Sequence, residues 1–114
     1  MSRDWRLFYF DLMDFCQQIL GYTQGMNRAA FESNRLVFDA TLRNLELIGE
    51  AAKHIPASIR AQLPEIPWPD LIGARNIFAH AYFGVDQDLV WHTVVNEIPN
   101  MLNALKVNQS KVMQ

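Results

Sequence analysis

A single cysteine, Cys16, stands in 114 residues. A lone thiol excludes an internal disulfide and a zinc–thiolate cluster. Its spacing from Leu12, Phe15 and Ile19 places it on an apolar helical face, as a core residue. No stretch approaches about 18 uninterrupted apolar residues, which excludes a membrane-spanning helix. The start carries Arg3, Asp4 and Arg6 without a clean apolar run, so no secretory leader is expected and the chain is expected to be cytoplasmic. A glycine-rich phosphate loop is missing. So are strand-like alternation, internal repeats and low-complexity linkers. Positive charge is scarce too. Ten Lys and Arg stand against twelve Asp and Glu, a net charge of −2. This balance gives no long-range attraction to nucleic acid, so any RNA site must be local.

Metal ligands are equally sparse. A carboxylate-bridged di-iron bundle needs paired Glu-x-x-His motifs. Here Glu50 and His54 are four apart and unrepeated, and His80 and His92 have no Cys or carboxylate at ligand spacing. No metal and no resident cofactor are expected. His54 is expected as a helix C-terminal residue favoured by the dipole, His92 as exposed, and Trp68 and Trp91 as core anchors.

What is present is apolar side chains at helical spacing. Half of the residues are hydrophobic, plentiful for one domain of this size, and some of them are expected to face a partner. Ser2 or Asp4 can cap a first helix running to about Leu20, with Trp5, Phe8, Leu12, Phe15, Cys16 and Ile19 as its stripe. Gly21 and Gly25 bracket a loop. Asn27 can cap a short helix from Arg28 to Ser33. A long helix from about Asn34 to Ile55 is apolar on more than one face, hence central, and Gly49 within it suggests close approach of another helix. Pro56 ends it, and Ser58 to Leu63 can form a turn or two. P-E-I-P-W-P is a rigid connector, and Pro69 suits the first turn of the next helix, Trp68 to Ala81. Asp86 can cap the last helix, with Val85 and Val90 as a staple, and Pro99 should kink it. The expected fold is all-α, an up-and-down bundle of four main helices plus short ones. It forms a single domain over residues 1–106, with 107–114 as a polar, frayed tail.

The chemistry concentrates between Gly73 and Asp86, G-A-R-N-I-F-A-H-A-Y-F-G-V-D. Arg75 offers a permanent forked cation suited to phosphate. His80 can take or give a proton near neutral pH. Asn76 can donate and accept at once, and Tyr82 carries a phenolic hydroxyl. At about 100° per residue, Asn76 and His80 share a face, while Arg75 and His80 sit about 140° apart. Arginine length, a helix ending near His80, or a second copy of the helix could bring the last two together. By spacing alone, a packing His beside a surface Arg fits as well.

The string resembles the Arg-x4-His-x-Tyr signature of HEPN-domain toxins, in particular the HepT-like ribonuclease family. Further stretches resemble that family in order and spacing: L-R-N-L-E-L-I-G-E-A-A-K at 42–53, P-E-I-P-W at 64–68, I-G-A-R-N at 72–76 and L-V-W at 89–91. The resemblance implies a HEPN-like bundle and a homodimer whose motifs face across the interface. It also implies a metal-independent endoribonuclease acting on RNA, not DNA, with transfer or messenger RNA as the target. In that reading the ribose 2′-OH attacks the adjacent phosphorus and leaves a 2′,3′-cyclic phosphate. Arg75 and His80 are the catalytic pair and Asn76 supports them. The resemblance further implies the toxin of a type VII-like toxin–antitoxin system. Its partner, a minimal nucleotidyltransferase antitoxin, would use ATP to attach AMP to Tyr82. A non-catalytic helical substrate-binding or adaptor subunit of a nucleotidyltransferase is the alternative, favoured by the acidic balance.

Overall fold

A computed structural model of the chain describes residues 3–79 and 87–114, with the backbone alone described for 74–79. Seven α-helices follow in order: α1 Trp5–Thr23, α2 Arg28–Ser33, α3 Arg35–Ala52, α4 Ala57–Arg60, α5 Trp68–Ala79, α6 Gln87–His92 and α7 Ile98–Val112. A π-helical turn, Thr93–Glu97, joins the last two. No strand occurs among the described residues. The architecture is the expected all-α bundle, with α1, α3, α5 and α7 as its four long members.

Local chemistry sets the helix starts. The Asp4 carboxylate accepts from the Arg6 backbone N–H at 2.9 Å. Asn27 accepts from Ala30 at 2.8 Å, and Asn34 from Val37 at 3.1 Å. Each such cap contributes about 1 kcal/mol. Gly21 does not end α1, which continues to Thr23. The break comes at Gly25, whose φ of 76° favours a residue without Cβ.

The four long helices pack side by side. α1 lies between α3 and α7, and α3 lies between α1 and α5. The first helix turns Tyr9, Leu12, Cys16, Ile19 and Thr23 inward. Trp5, Phe8 and Phe15, expected in that stripe, are only half-buried. Tyr9 takes the central place because its hydroxyl has a partner, donating to the Leu105 carbonyl of α7 at 2.6 Å. Burial raises the Tyr9 phenol, with the nearby Glu65 charge adding, to about 12. Burial likewise pushes the Cys16 thiol up to about 12. On α3, Phe38, Leu42, Leu45 and Ile48 are buried, but Leu36 is 81% exposed. Leu36 lies in the first turn, before α3 enters the core.

Pro99 falls in the first two positions of α7, and the turn before it is π-helical. One expectation changes at the C-terminal end. The chain is not frayed beyond Lys106: α7 runs to Val112, which is buried. Val85 and Asp86, the expected staple and cap of α6, lie outside the described residues.

Candidate functional site

The connector and α3 place the motif helix. Leu63 and Ile66 are fully buried plugs. Trp68 donates its indole N–H to the Leu63 carbonyl at 3.1 Å, closing the connector on itself. The Leu71 amide then bonds the Pro67 carbonyl at 3.0 Å, which starts α5. Trp68 and Leu71 are buried, as is Gly49 on the neighbouring α3. α3 packs along α5.

Arg75 and Asn76 stand on the second half of α5 by their backbone. Their side chains, and all of His80 and Tyr82, lie outside the described residues. The structure therefore neither unites nor separates the four expected site residues. It does anchor both ends of the segment that carries them. α5 rests on α3. At the other end, α6 is tied to α2 by an ion pair from Arg28 to Asp88 and by the tilted Phe31–Trp91 ring contact at 5.3 Å.

The stretch at 42–53 also acquires physical roles. Asn44 is buried between α1 and α3 and donates to Gln18 at 3.2 Å. Arg43 pairs with Glu46 at 3.4 Å and Lys53 with Glu50 at 3.5 Å. His54 stacks on Phe8, ring centroids 4.2 Å apart, with the Arg3 guanidinium over that same Phe8 ring at 4.6 Å. Thr41 is fully buried, and its hydroxyl has no hydrogen-bond partner among the described residues.

Cation placement matters for any phosphate-binding reading. Arg3 pairs with Asp11, Arg6 with Asp4, Arg28 with Glu32 and Asp88, and Arg35 with Asp39. With Arg43 and Lys53 paired as above, Arg60, Lys106 and Lys111 are the cations among the described side chains that lack a carboxylate partner. Sequence reasoning did not single out these three. Among the described residues, no helix is long and apolar enough to cross a membrane, and no three of His, Cys, Asp and Glu converge as metal ligands would.

Comparison with known proteins adds a consistent picture. A family model described as "Ribonuclease HepT-like" matches residues 12–107. "Putative RNase MJ1216" of Methanocaldococcus jannaschii is 40% identical over 88% of this chain and 83% of its own length. "Putative RNase MJ1380" of the same organism is 31% identical over 93% of this chain and 97% of its own. "Probable ribonuclease HepT" of Thermococcus cleftensis is 35% identical over 89% of this chain and 92% of its own. No solved structure matches significantly.

Proposed function

We propose that this chain, which belongs to the Ribonuclease HepT-like family, is a metal-independent endoribonuclease with Arg75 and His80 as its catalytic pair. One observation carries the reading: the family match over residues 12–107 includes the whole Arg75–Tyr82 string, and α5 carries Arg75 and Asn76. The net charge of −2 leaves recognition to local cations, and Arg75 sits within the motif itself.

The chemistry follows from those residue types. The ribose 2′-oxygen attacks the adjacent phosphorus, and its proton passes to an imidazole acting as base. The bond from phosphorus to the 5′-oxygen breaks, and that oxygen leaves with a proton. The products are a 2′,3′-cyclic phosphate and a 5′-hydroxyl. His80 supplies the proton transfer, and Arg75 offsets charge building on the phosphoryl oxygens. Asn76 orients the phosphate or the imidazole. On one ideal helix Arg75 and His80 diverge by about 140°, so a homodimer that brings two motifs together suits this chemistry.

The same reading makes the chain the toxin of a toxin–antitoxin pair. A minimal nucleotidyltransferase would attach AMP to the Tyr82 hydroxyl: the phenolic oxygen takes the α-phosphate of ATP, the α–β anhydride bond breaks and pyrophosphate leaves. The added phosphate would occupy Arg75 and repel RNA. The test is RNA cleavage by the purified protein in EDTA, with and without the partner enzyme and ATP. Cleavage that disappears only when Tyr82 carries AMP supports the whole scheme. A protein that never cuts RNA refutes it. The second reading, a non-catalytic adaptor subunit of a nucleotidyltransferase, draws on a specific observation: six of the described cations are already held by carboxylates.

A further inference from the structure

α3 turns a patterned stripe outward. Arg35, Asp39, Arg43 and Glu46 follow one another along it with alternating sign. Arg35 pairs with Asp39 at 3.7 Å and Arg43 with Glu46 at 3.4 Å. Beside the charges stand Leu36, 81% exposed, and Leu47, half-buried. Eleven residues separate Arg35 from Glu46, and Leu36 from Leu47. That is three helical turns, so each pair falls within about 20° of one line along the helix. The leucines share one line, Arg35 and Glu46 a second, and Asp39 and Arg43 lie between the two.

This stripe complements itself. Its charge order, plus–minus–plus–minus, becomes minus–plus–minus–plus when read backwards. A second copy of α3, laid antiparallel across a two-fold axis level with Thr41, therefore sets Arg35 against the other copy's Glu46 and Asp39 against its Arg43. Leu36 meets the other copy's Leu47, and the symmetry repeats every contact. A parallel pairing would set like charges face to face. Ala40, half-buried beside the axis, is small enough to let the two backbones approach.

The same geometry reaches the candidate site. Asn44 marks the flank of α3 that meets α1, donating to Gln18 at 3.2 Å. Leu42 lies about 200° round from Asn44, on the opposite flank, beside α5, the other long helix packed on α3. An open groove of about 240 Å³ follows that flank, lined by Arg35, Asp39, Leu42, Arg43 and Glu46. A two-fold axis in the contact plane, at right angles to α3, leaves each flank on its own side. Both α5 flanks then fall on the same side, and the two grooves join in one cleft between the α5 helices. Each α5 carries Arg75 and Asn76 on its second half.

We infer that the outer face of α3 is the two-fold interface of a homodimer, held by Arg35–Glu46 and Asp39–Arg43 ion pairs and Leu36–Leu47 contacts, with both α5 helices bordering one cleft. The site is incomplete in a single chain. Burial of the leucines drives association, while the charges fix direction and register. The inference deepens the ribonuclease reading, which needs two motifs together. The α3 contact itself stands on charge order and exposure.

Sedimentation over a concentration series measures the dimer for wild type, Leu36→Gln, Arg43→Asp and Asp39→Arg/Arg43→Asp. All three positions are exposed, so the fold should survive, and circular dichroism checks this. Arg43→Asp loses two pairs and gains two repulsions, each worth roughly a factor of two at an exposed site. Its dissociation constant should therefore rise roughly 16-fold. The double variant again sets opposite charges face to face and should return to within about threefold of wild type. Leu36→Gln should weaken the dimer by roughly tenfold or more.

A wild type that stays monomeric at every concentration overturns the inference, including one that uses this face only to hold a nucleotidyltransferase. So does a dimer indifferent to Leu36→Gln and Arg43→Asp, or an Arg43→Asp loss that adding Asp39→Arg leaves unrepaired. Failure of the ribonuclease reading looks different: the dimer would respond to all three variants as expected yet cut no RNA. Conversely, RNA cleavage by a protein that stays monomeric keeps the ribonuclease and removes the α3 interface.

Discussion

Replacing Tyr9 by Phe removes one hydroxyl from the contact between α1 and α7. That hydroxyl is buried and donates to the Leu105 carbonyl at 2.6 Å. The carbonyl also has its place in the α7 ladder, so no acceptor is orphaned and the net loss should be about 1 kcal/mol at pH 8. The phenol itself adds a pH dependence. Its folded pKa is raised from 10.0 to about 12, so the native state holds a proton that the unfolded chain releases. Stability is therefore intact below pH 10 and falls as pH climbs from 10 toward 12. At pH 11 the loss from this one group is about 1.4 kcal/mol. Tyr9→Phe carries no such loss, and the difference between the two proteins cancels every other titrating group. Urea unfolding should thus show the variant weaker by about 1 kcal/mol at pH 8 and level with wild type, or slightly stronger, at pH 11. A difference that stays constant across this range would refute the burial argument for Tyr9.

Other consequences are simpler to test. Thr41→Val replaces a buried hydroxyl that has no hydrogen-bond partner among the described residues with a methyl group of similar shape. It should stabilise the protein by about 1 kcal/mol, seen as a Tm higher by about 4 °C. Cys16 is fully buried and its thiol is held neutral at physiological pH, so iodoacetamide should label it only after denaturation; rapid labelling of native protein would contradict its place in the core. Tyr82→Phe should keep ribonuclease activity yet escape the partner enzyme, with mass spectrometry showing no AMP adduct on the variant; an adduct of equal yield would place the modification elsewhere.

The elements were legible because their signals are local. Asn27 announced α2 by side-chain capping chemistry, and that cap forms; the start of α3 near Asn34 was legible from its apolar pattern, while the Asn34 cap came from the structure. The Pro-rich connector and the Trp68 start of α5 followed from proline geometry. What escaped is what depends on contacts between distant residues. Tyr9 displaced Trp5, Phe8 and Phe15 from the centre of the α1 face because Leu105, 96 positions away, offers it an acceptor. Val112 extended α7 because it is buried, which a polar tail composition conceals. The π-helical turn before Pro99 carries no local sequence signal of its own. For the site, the residue types of the motif suggested the chemistry, and the fold supplies the anchoring of α5 on α3 and of α6 on α2.

The most direct measurement compares initial rates of RNA cleavage in EDTA for wild type, Arg75→Ala and His80→Ala, each checked for an unchanged helical spectrum. The expected result is cleavage by wild type with 2′,3′-cyclic phosphate ends and a fall of at least about 100-fold for each variant. Variants that cut as fast as wild type would contradict the assignment of the catalytic pair.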